Sequence, residues 1–343
     1  MSHSSSEFRF RMPEEWARHA ATWLSWPRNG DTWPNNLAAA QQEFVELVRA
    51  IAAFEPVKVM AGKDFDFDQA TRALANISNV DVVPIQTNDA WARDYAPTFV
   101  VDREHGQLAA VDWFYNAWGG KYPPFDDDQK VTEKVAQHLG CQHTRVDLCL
   151  EGGAVEVDEL GTLFCTKTCA FDEHRNPGLS PAEIEQRIME AIGATQAVWL
   201  HGDALVGDDT DGHIDQLARC APGGVILFAW TDDQTNEQYG GLAQNRNDLT
   251  SGLANLALEK TLVPLPIPDP VMMFDVQIPA CYCNFYITNG GVIVPTFGAK
   301  QDDEAARIIG EHFPNHELVQ CPSANLTVGL GSFHCLTQQQ PAI

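Results

Sequence analysis

Gly152-Gly153-Ala154-Val155-Glu156-Val157 is the stretch that first indicates the fold, because two other double glycines precede similar β-rich runs. These are Gly223-Gly224-Val225-Ile226-Leu227-Phe228 and Gly290-Gly291-Val292-Ile293-Val294. A double glycine before such a run is typical of a hairpin turn. The first glycines lie 71 and then 67 residues apart. A repeat of about 70 residues predicts five small sheet-plus-helix units in a ring, although three occurrences are also compatible with coincidence.

Helical patterns lie between the strand-like runs. Ser180 precedes Pro181 and Glu183 as in a capping box, which predicts a helix that ends at Gly193. Apolar spacing predicts further helices, over 37–51 and 303–312, and strands, over 57–60, 80–85, 108–115 and 225–230. Because no long linker interrupts this alternation, we expect one α/β domain over residues 1–343, with about residues 1–10 disordered.

The charge of the chain narrows the class of partner. The 47 acidic and 22 basic residues give a formal net charge of −25. Such a chain would repel nucleic-acid phosphates. An acidic surface attracts small cations such as a guanidinium or an amine, although it also serves solubility alone. The first six residues lack the apolar part of a secretory signal, and no apolar run is long enough to span a membrane. A cytoplasmic protein that binds neither membrane nor nucleic acid is expected.

The nine cysteines predict neither disulfides nor a zinc site. An odd count without secretory context argues against a disulfide framework. Cys281 and Cys283 alternate within an apolar run, and no second pair of ligands completes them or the pair Cys165 and Cys169.

Cys335 is the candidate nucleophile, in the segment Gly329-Leu330-Gly331-Ser332-Phe333-His334-Cys335. A thiolate is a strong nucleophile once its pKa is lowered, and the glycines let a substrate approach the backbone. The alternative is a buried structural cysteine that ends a strand. His334 is a poor candidate for the catalytic base, because neighbours on a strand face opposite ways.

Three other segments carry polar residues that a plain scaffold does not need. Asn88-Asp89-Ala90-Trp91-Ala92-Arg93-Asp94-Tyr95-Ala96-Pro97 is a predicted loop at a sheet edge, or alternatively a surface loop with an Arg–Asp pair. Glu151 precedes the first double glycine and by itself is an ordinary hairpin entry. The acidic run 207–215 fails as a calcium loop, because its first and twelfth positions carry no carboxylate. Its His213 and Asp215, two apart on a predicted strand, would face one site.

Together these residues suit chemistry on a guanidinium. Carboxylates bind that planar cation in bidentate fashion and hold its carbon over the sulfur. The cysteine would attack, the histidine would protonate the departing ammonia, and water would hydrolyse the amidino-thioether. A cysteine protease would need an oxyanion hole instead of several carboxylates.

Ordered motifs along nearly the whole chain resemble the agmatine deiminase and bacterial-type peptidylarginine deiminase family of the guanidine-modifying (pentein) superfamily. Besides those quoted, the motifs are Met12-Pro13-Glu14-Glu15-Trp16, Ala21-Thr22-Trp23-Leu24-Ser25-Trp26-Pro27, Phe114-Tyr115-Asn116-Ala117-Trp118-Gly119-Gly120, Arg175-Asn176-Pro177-Gly178-Leu179-Ser180 and His334-Cys335-Leu336-Thr337-Gln338-Gln339-Gln340-Pro341. The resemblance implies a five-bladed α/β propeller, no cofactor or metal, and a homo-oligomer.

The resemblance also implies roles for single residues. Cys335 would be the nucleophile and His213 the general acid/base, oriented by Glu151. Asp94 and Asp215 would hold the guanidinium, and Trp91 and Asp209 would line the pocket.

Three departures concern the substrate. Asp211 replaces the asparagine usual in agmatine-specific members, the segment 121–125 is short, and Leu330 replaces a common glycine. Agmatine is the leading substrate, with free arginine, peptidyl arginine and other alkylguanidines as alternatives. An amidinotransferase and a non-catalytic guanidine- or polyamine-binding protein are the other hypotheses.

Overall fold

The computed structural model describes residues 9–343, in which strands and helices alternate. The strands of this range are β1 (His19–Ser25), β2 (Val57–Met60), β3 (Val80–Val83), β4 (Thr98–Asp102), β5 (Gln107–Phe114), β6 (Gln142–Cys149), β7 (Glu156–Val157), β8 (Thr162–Thr166), β9 (Gln196–Leu200), β10 (Ala218–Ala221), β11 (Val225–Trp230), β12 (Thr261–Pro266), β13 (Met272–Met273), β14 (Val276–Gln277), β15 (Tyr286–Ile287), β16 (Gly291–Thr296), β17 (Glu317–Pro322) and β18 (Thr337–Pro341).

The helices include both long crossover helices and single turns. They are α1 (Leu37–Ala52), α2 (Phe65–Leu74), α3 (Ala92–Tyr95), α4 (Ala117–Gly120), α5 (Val131–Leu139), α6 (Lys167–Ala170), α7 (Pro181–Ile192), α8 (Ile214–Leu217), α9 (Tyr239–Asn255), α10 (Asp302–Glu311), α11 (Ala324–Thr327) and α12 (Phe333–Leu336). Three 3₁₀ turns are Asp128–Lys130, Gly152–Ala154 and Tyr282–Asn284. No helix within 9–343 is long and apolar enough to cross a membrane.

Five mixed sheets repeat one strand pattern. Their strand orders are β18-β1-β2-β3, β4-β5-β6, β7-β8-β9, β10-β11-β12 and β15-β16-β17, and β13-β14 is a separate hairpin. In each sheet an antiparallel pair is followed by a parallel strand. A parallel pair needs a crossover, and α1, α5, α7, α9 and α10 lie in these five connections. The fold is therefore a mixed α/β fold with a repeated unit.

A single helical turn precedes the first strand of each antiparallel pair. These five short turns are α3, Gly152–Ala154, α8, Tyr282–Asn284 and α12. Each contacts the next one in chain order, and α12 contacts α3. The repeat therefore brings five segments that are distant in sequence to one place.

The long helices pack on the sheets through the apolar faces that the sequence predicts. In α1, the residues Phe44, Leu47, Val48 and Ile51 are fully buried. Burial of each such side chain contributes about 1.5–3 kcal/mol. The helix α7 begins with the predicted capping box at Ser180 and ends before Gly193, whose φ is 68°.

Most predicted elements are confirmed, with small changes at their ends. The runs 57–60 and 225–230 are β2 and β11, whereas 80–85 and 108–115 correspond to β3 and β5. The helices predicted over 37–51 and 303–312 are α1 and α10. The predicted disorder falls mostly on residues 1–8, which lie outside the described residues. Within the described part, Arg9 Nε donates to Asp102 Oδ2 at 2.7 Å.

One of the double-glycine predictions is wrong. Gly223-Gly224 and Gly290-Gly291 do lie at the turns of β10–β11 and β15–β16. Gly152-Gly153 instead lies in a 3₁₀ turn before β7, and the β7–β8 hairpin turns at Gly161. The spacing of about 70 residues was therefore measured between a 3₁₀ turn and two hairpin turns, which are different positions of the repeated unit.

Candidate active site

A cavity of about 720 Å³ brings several of the predicted residues together. Its lining includes Trp91, Asp94, Asp209 and Cys335. His213, Glu151 and Asp215 are not in that lining and are fully buried. The predicted polar residues thus divide between a buried group (Asp94, Glu151, His213, Asp215 and Cys335) and Asp209 at the more exposed entrance, while Trp91 is buried.

Cys335 lies on α12, immediately before β18, so the alternative of a cysteine that ends a strand is wrong. Its Sγ is 3.5 Å from Asp215 Oδ2 and accepts a hydrogen bond from Asn284 Nδ2 at 3.2 Å. The Cys335 amide donates to Asn284 Oδ1 at 3.2 Å. Burial, together with Asp215 and Asp94, raises the pKa of Cys335 well above its ordinary value. A cation beside the sulfur would therefore favour the thiolate.

Three side chains of the buried group converge on Gly153. A β-carbon there would lie 2.6 Å from His213 Nδ1, 2.7 Å from Asp94 Oδ1 and 3.2 Å from Asp215 Oδ2. The missing side chain therefore makes room for this arrangement. The Gly153 amide donates to Asp94 Oδ1 at 3.0 Å. Burial raises the pKa of Asp94 to about 6, and His213 opposes that rise.

His213 is held by the loop that precedes α8. Its amide donates to Thr210 Oγ1 at 3.0 Å, and Asp208 accepts from the Thr210 and Gly212 amides. Gly212 has a φ of 82°, in the left-handed region, and a β-carbon there would lie 2.2 Å from the Asp203 nitrogen. Only glycine fits this turn without a shift of the backbone.

The His213 ring lies between two carboxylates. Its Nδ1 is 3.7 Å from Asp94 Oδ1, and its Nε2 is 3.5 Å from Glu151 Oε2. Within residues 9–343, neither ring nitrogen makes a hydrogen bond. Burial opposes the imidazolium, but Asp94 and then Cys169 and Glu151 raise the pKa of His213 well above its ordinary value. The ring can therefore carry a proton at neutral pH.

Glu151 is fixed by a buried arginine that the sequence reasoning missed. Arg175 Nε donates to Glu151 Oε1 and Oε2 at 3.0 and 2.9 Å. Burial alone would raise the pKa of Glu151, but Arg175 and His213 lower it to about 2. Glu151 is therefore an ionised carboxylate beside the histidine.

Asp215 is fixed by His334, which the sequence reasoning set aside. His334 Nδ1 is 2.7 Å from Asp215 Oδ2, and its Nε2 is 2.8 Å from Glu15 Oε2. Each ring nitrogen of His334 therefore faces a carboxylate oxygen at hydrogen-bond distance. Glu15 also accepts from Arg219 Nη2 at 2.5 Å. Burial opposes ionisation of Asp215, but His334 lowers the pKa of that carboxyl.

The prediction that His213 and Asp215 lie on one strand, and His334 and Cys335 on another, is wrong. His213 caps α8 and Asp215 lies inside it, while His334 and Cys335 share the helical turn α12. A single turn lets both neighbours be buried in the same site, so strand alternation did not apply. The segment 88–97 contains α3, and Trp91 and Asp94 are buried, which rules out the plain surface loop.

Trp118 is a further residue of the site. Its Nε1 donates to Asp94 Oδ2 at 3.0 Å. Ala117 and Trp118 have φ values of 55° and 57°, which are unusual for residues with a side chain. Such strain often occurs at functional sites. The family motif over residues 114–120 contains Trp118 and could have identified this indole from the sequence.

Trp91 lines the cavity as the resemblance implied. Its ring packs against Trp33 with centroids 5.5 Å apart. The Gly331 α-carbon is so close to Trp91 that a β-carbon would lie 2.6 Å from the indole. Leu330, the departure in this segment, has a φ of 77°, which explains physically why glycine suits that position.

A rim group consists of Lys121, Tyr122 and Asp209, which line the cavity, and of Asp211, which contacts Lys121. Lys121 Nζ is 3.0 Å from Asp209 Oδ1 and 2.9 Å from Asp211 Oδ1. Tyr122 Oη donates to Asp209 Oδ2. Asp211 Oδ2 also accepts from Arg175 Nη1 at 2.6 Å. The Lys121, Asp209 and Asp211 side chains are 32%, 40% and 33% exposed, unlike the buried group.

Among the described residues, two buried sets of side chains each offer three ligand atoms close enough together to hold a metal ion. They are Glu151 with Cys169 and His213, and Glu15 with Glu156 and His334. Each set already contacts a buried arginine: Arg175 pairs with Glu151, and Arg219 pairs with Glu15 and Glu156. These guanidinium groups already balance the carboxylates, which does not favour a further cation. That no metal or cofactor is needed stays a prediction.

Four residues that support the buried group, directly or through other side chains, were not identified from the sequence, because they lie far from Cys335 and no periodic pattern marks them. They are Glu15, Arg175, Arg219 and Asn284. Glu15 and Arg175 do lie in quoted motifs, which was the available signal. All nine cysteines, which lie within the described residues, are free thiols, as expected.

Comparison with known proteins assigns the family. The family model described as Porphyromonas-type peptidyl-arginine deiminase matches residues 11–341. The agmatine deiminase of Stutzerimonas stutzeri is 38% identical over 97% of this chain and 96% of its own. The solved agmatine deiminase of Enterococcus faecalis has a TM-score of 0.90 at 31% identity, covering 97% of this chain and 96% of that chain. A substrate-bound cysteine-to-serine variant of a C. jejuni agmatine deiminase has a TM-score of 0.88 at 29% identity, covering 96% of each chain. This chain therefore belongs to the Porphyromonas-type peptidyl-arginine deiminase family.

Proposed function

We propose that this protein is a guanidine deiminase that hydrolyses agmatine to N-carbamoylputrescine and ammonia. The observation that carries the proposal is the placement of the Cys335 thiol in the cavity, 3.5 Å from Asp215 and beside Asp94. A guanidinium that enters between these groups meets two carboxylates and a sulfur nucleophile. The agmatine deiminases among its relatives support agmatine as the substrate.

In the proposed reaction, the substrate itself activates the nucleophile. The cationic guanidinium offsets the two carboxylates that disfavour the thiolate, so the Cys335 proton leaves to water in the cavity. The thiolate then attacks the guanidinium carbon and forms the new C–S bond. Asp94 and Asp215 hold the cation, and Asp215 Oδ1, which accepts no hydrogen bond within 9–343, is available to a guanidinium N–H.

The proton transfers belong to His213. Its imidazolium donates a proton to the leaving nitrogen, the C–N bond breaks, and ammonia departs from an amidino-thioether. The neutral ring then takes one proton from a water molecule, whose oxygen attacks the same carbon. As the C–S bond breaks and the Cys335 thiolate leaves, the remaining hydroxyl proton passes to water in the cavity. Glu151, itself held by Arg175, orients the ring and stabilises its charge. The product is a urea, and its carbonyl oxygen comes from the attacking water.

We also propose that the five sheets are the blades of a five-bladed propeller. The shared strand pattern and the successive contacts of the five short turns support this arrangement.

A cytoplasmic location, the absence of a nucleic-acid partner and a homo-oligomer remain predictions. Size-exclusion chromatography with light scattering would measure the oligomeric state.

Ammonia release by the purified protein tests the function. The panel contains agmatine, free arginine, a blocked arginine peptide and butylguanidine, each with and without glycine as an amidino acceptor. We expect the highest kcat/KM for agmatine, with carbamoylputrescine as the product. A higher kcat/KM for free arginine or for the arginine peptide would make that compound the assigned substrate. A new guanidino product in the presence of glycine would indicate an amidinotransferase. Tight agmatine binding without ammonia release would contradict the proposed activity.

A further inference from the structure

The segment after α4 places an ammonium group at the cavity that contains Cys335. Lys121 Nζ donates to the Asp209 carbonyl oxygen at 2.8 Å as well as to both rim carboxylates. Burial opposes its ammonium form, but Asp211 and Asp209 raise the pKa of Lys121. Lys121 therefore carries a full positive charge at neutral pH.

Both carboxylate oxygens of Asp209 already have donors. Lys121 takes Oδ1, and Tyr122 donates to Oδ2. The Tyr122 ring packs edge-on against Trp118, with centroids 5.8 Å apart, and Trp118 donates to Asp94. The rim contacts are thus joined to the buried group through one aromatic pair. A substrate tail that seeks Asp209 must compete with the protein's own donors.

Few cations line this cavity. Arg28 and Lys121 are the basic residues of the described lining. Arg28 Nε is 2.8 Å from Asp66 Oδ2, and its Nη1 donates to the Thr87 carbonyl at 2.7 Å. Lys121 instead pairs with two carboxylates of which one, Asp209, also lines the cavity. A substrate tail that reaches Asp209 therefore meets the Lys121 charge directly.

We propose that Lys121 is a specificity-determining residue that disfavours guanidines with a cationic tail and favours those with a neutral or anionic tail. This inference rests on the proposed function of the same site. A tail ammonium at Asp209 would lie beside Lys121 and be repelled, whereas a tail carboxylate would pair with it. Agmatine remains a substrate, but its advantage over an uncharged analogue is smaller than Asp209 and Asp211 alone would give.

The test compares native protein with Lys121→Met on three substrates of similar length: agmatine, butylguanidine and 4-guanidinobutanoate. Methionine keeps the apolar stem and removes the charge. We expect the kcat/KM ratio of agmatine to butylguanidine to rise about fivefold in the variant, the effect of a single charge at roughly 4 Å that is screened by water. The ratio of 4-guanidinobutanoate to butylguanidine should fall by a similar factor.

Lys300→Met is the matched control, because Lys300 pairs with Asp269 on the surface and is not in the cavity lining. It should leave all three ratios unchanged. A Lys121→Met variant that changes all three substrates by the same factor, or none of them, overturns the inference. Lys121→Gln repeats the test if the methionine variant folds poorly.

The inference and the proposed function can fail separately. If native protein releases no ammonia from any of the three compounds, the proposed function fails. Calorimetric binding of the same compounds to native protein and to Lys121→Met then decides the role of Lys121. Unchanged relative affinities in that comparison overturn it, and a shift toward agmatine supports it.

Discussion

The buried group and the rim group use charge in opposite surroundings. In the buried group, Asp94, Glu151, His213 and Asp215 are almost wholly excluded from water. Each of the three carboxylates there accepts hydrogen bonds from a residue of another segment. In the rim group, Lys121 and the two aspartates are about a third exposed. Buried charges interact strongly and tolerate loss of a partner poorly, whereas exposed pairs are screened. We therefore expect the buried group to govern chemistry and the rim group to govern the choice of substrate.

The largest expected effect comes from Cys335→Ala. Loss of the nucleophile should reduce ammonia release from agmatine at least about 10⁴-fold, while the circular dichroism spectrum stays native. Cys141→Ala is the matched control, because this half-buried thiol is not in the cavity lining. Retained turnover in the Cys335 variant would rule out the covalent mechanism.

His213→Ala should have the next largest effect. Removal of the proton donor should lower kcat by about 10²–10⁴-fold, with a smaller change in KM, because the carboxylates that hold the guanidinium remain. Steady-state kinetics with agmatine measure this. His105→Ala, which alters an exposed ring, should match native protein. A KM effect alone would assign His213 to binding rather than to proton transfer.

The Asp94 carboxyl should give binding a pH dependence. Its pKa is about 6, so it is ionised above that pH and neutral below it. The affinity of Cys335→Ala protein for agmatine, measured by calorimetry, should thus fall by up to about tenfold per pH unit below pH 6. Asp94→Asn in the same background should bind agmatine weakly at all pH values and should not show the fall in affinity below pH 6. A flat affinity between pH 7 and pH 5 would contradict the assignment.

The smallest effect is expected at the rim. Asp211→Asn keeps an oxygen that can accept from Arg175 Nη1 and removes the negative charge. We expect kcat for agmatine to change less than about fivefold, because the amide oxygen still accepts from Arg175 and the partly exposed pair with Lys121 contributes little. A loss as large as that of His213→Ala would show that the rim, through Arg175 and Glu151, governs the chemistry as well.

Local patterns were reliable where one element decides the outcome. The capping box at Ser180 and the apolar face of α1 depend on residues three or four apart, and the structure confirms both. The double glycines were less reliable, because a 3₁₀ turn and a hairpin turn use the same residue type. Gly152-Gly153 therefore belonged to a different position in the repeat.

The sequence by itself determined the alternation of strands and helices, the family motifs and the chemical types of the candidate residues, since each depends on local spacing or on residue identity. Only the tertiary structure decided which groups face one another. Glu15 and His334 are 319 positions apart, yet their contact at 2.8 Å helps to fix Asp215. Strand alternation predicted that His334 would point away from the site. The helical turn α12 reverses that expectation, because side-chain direction and burial depend on packing between distant segments.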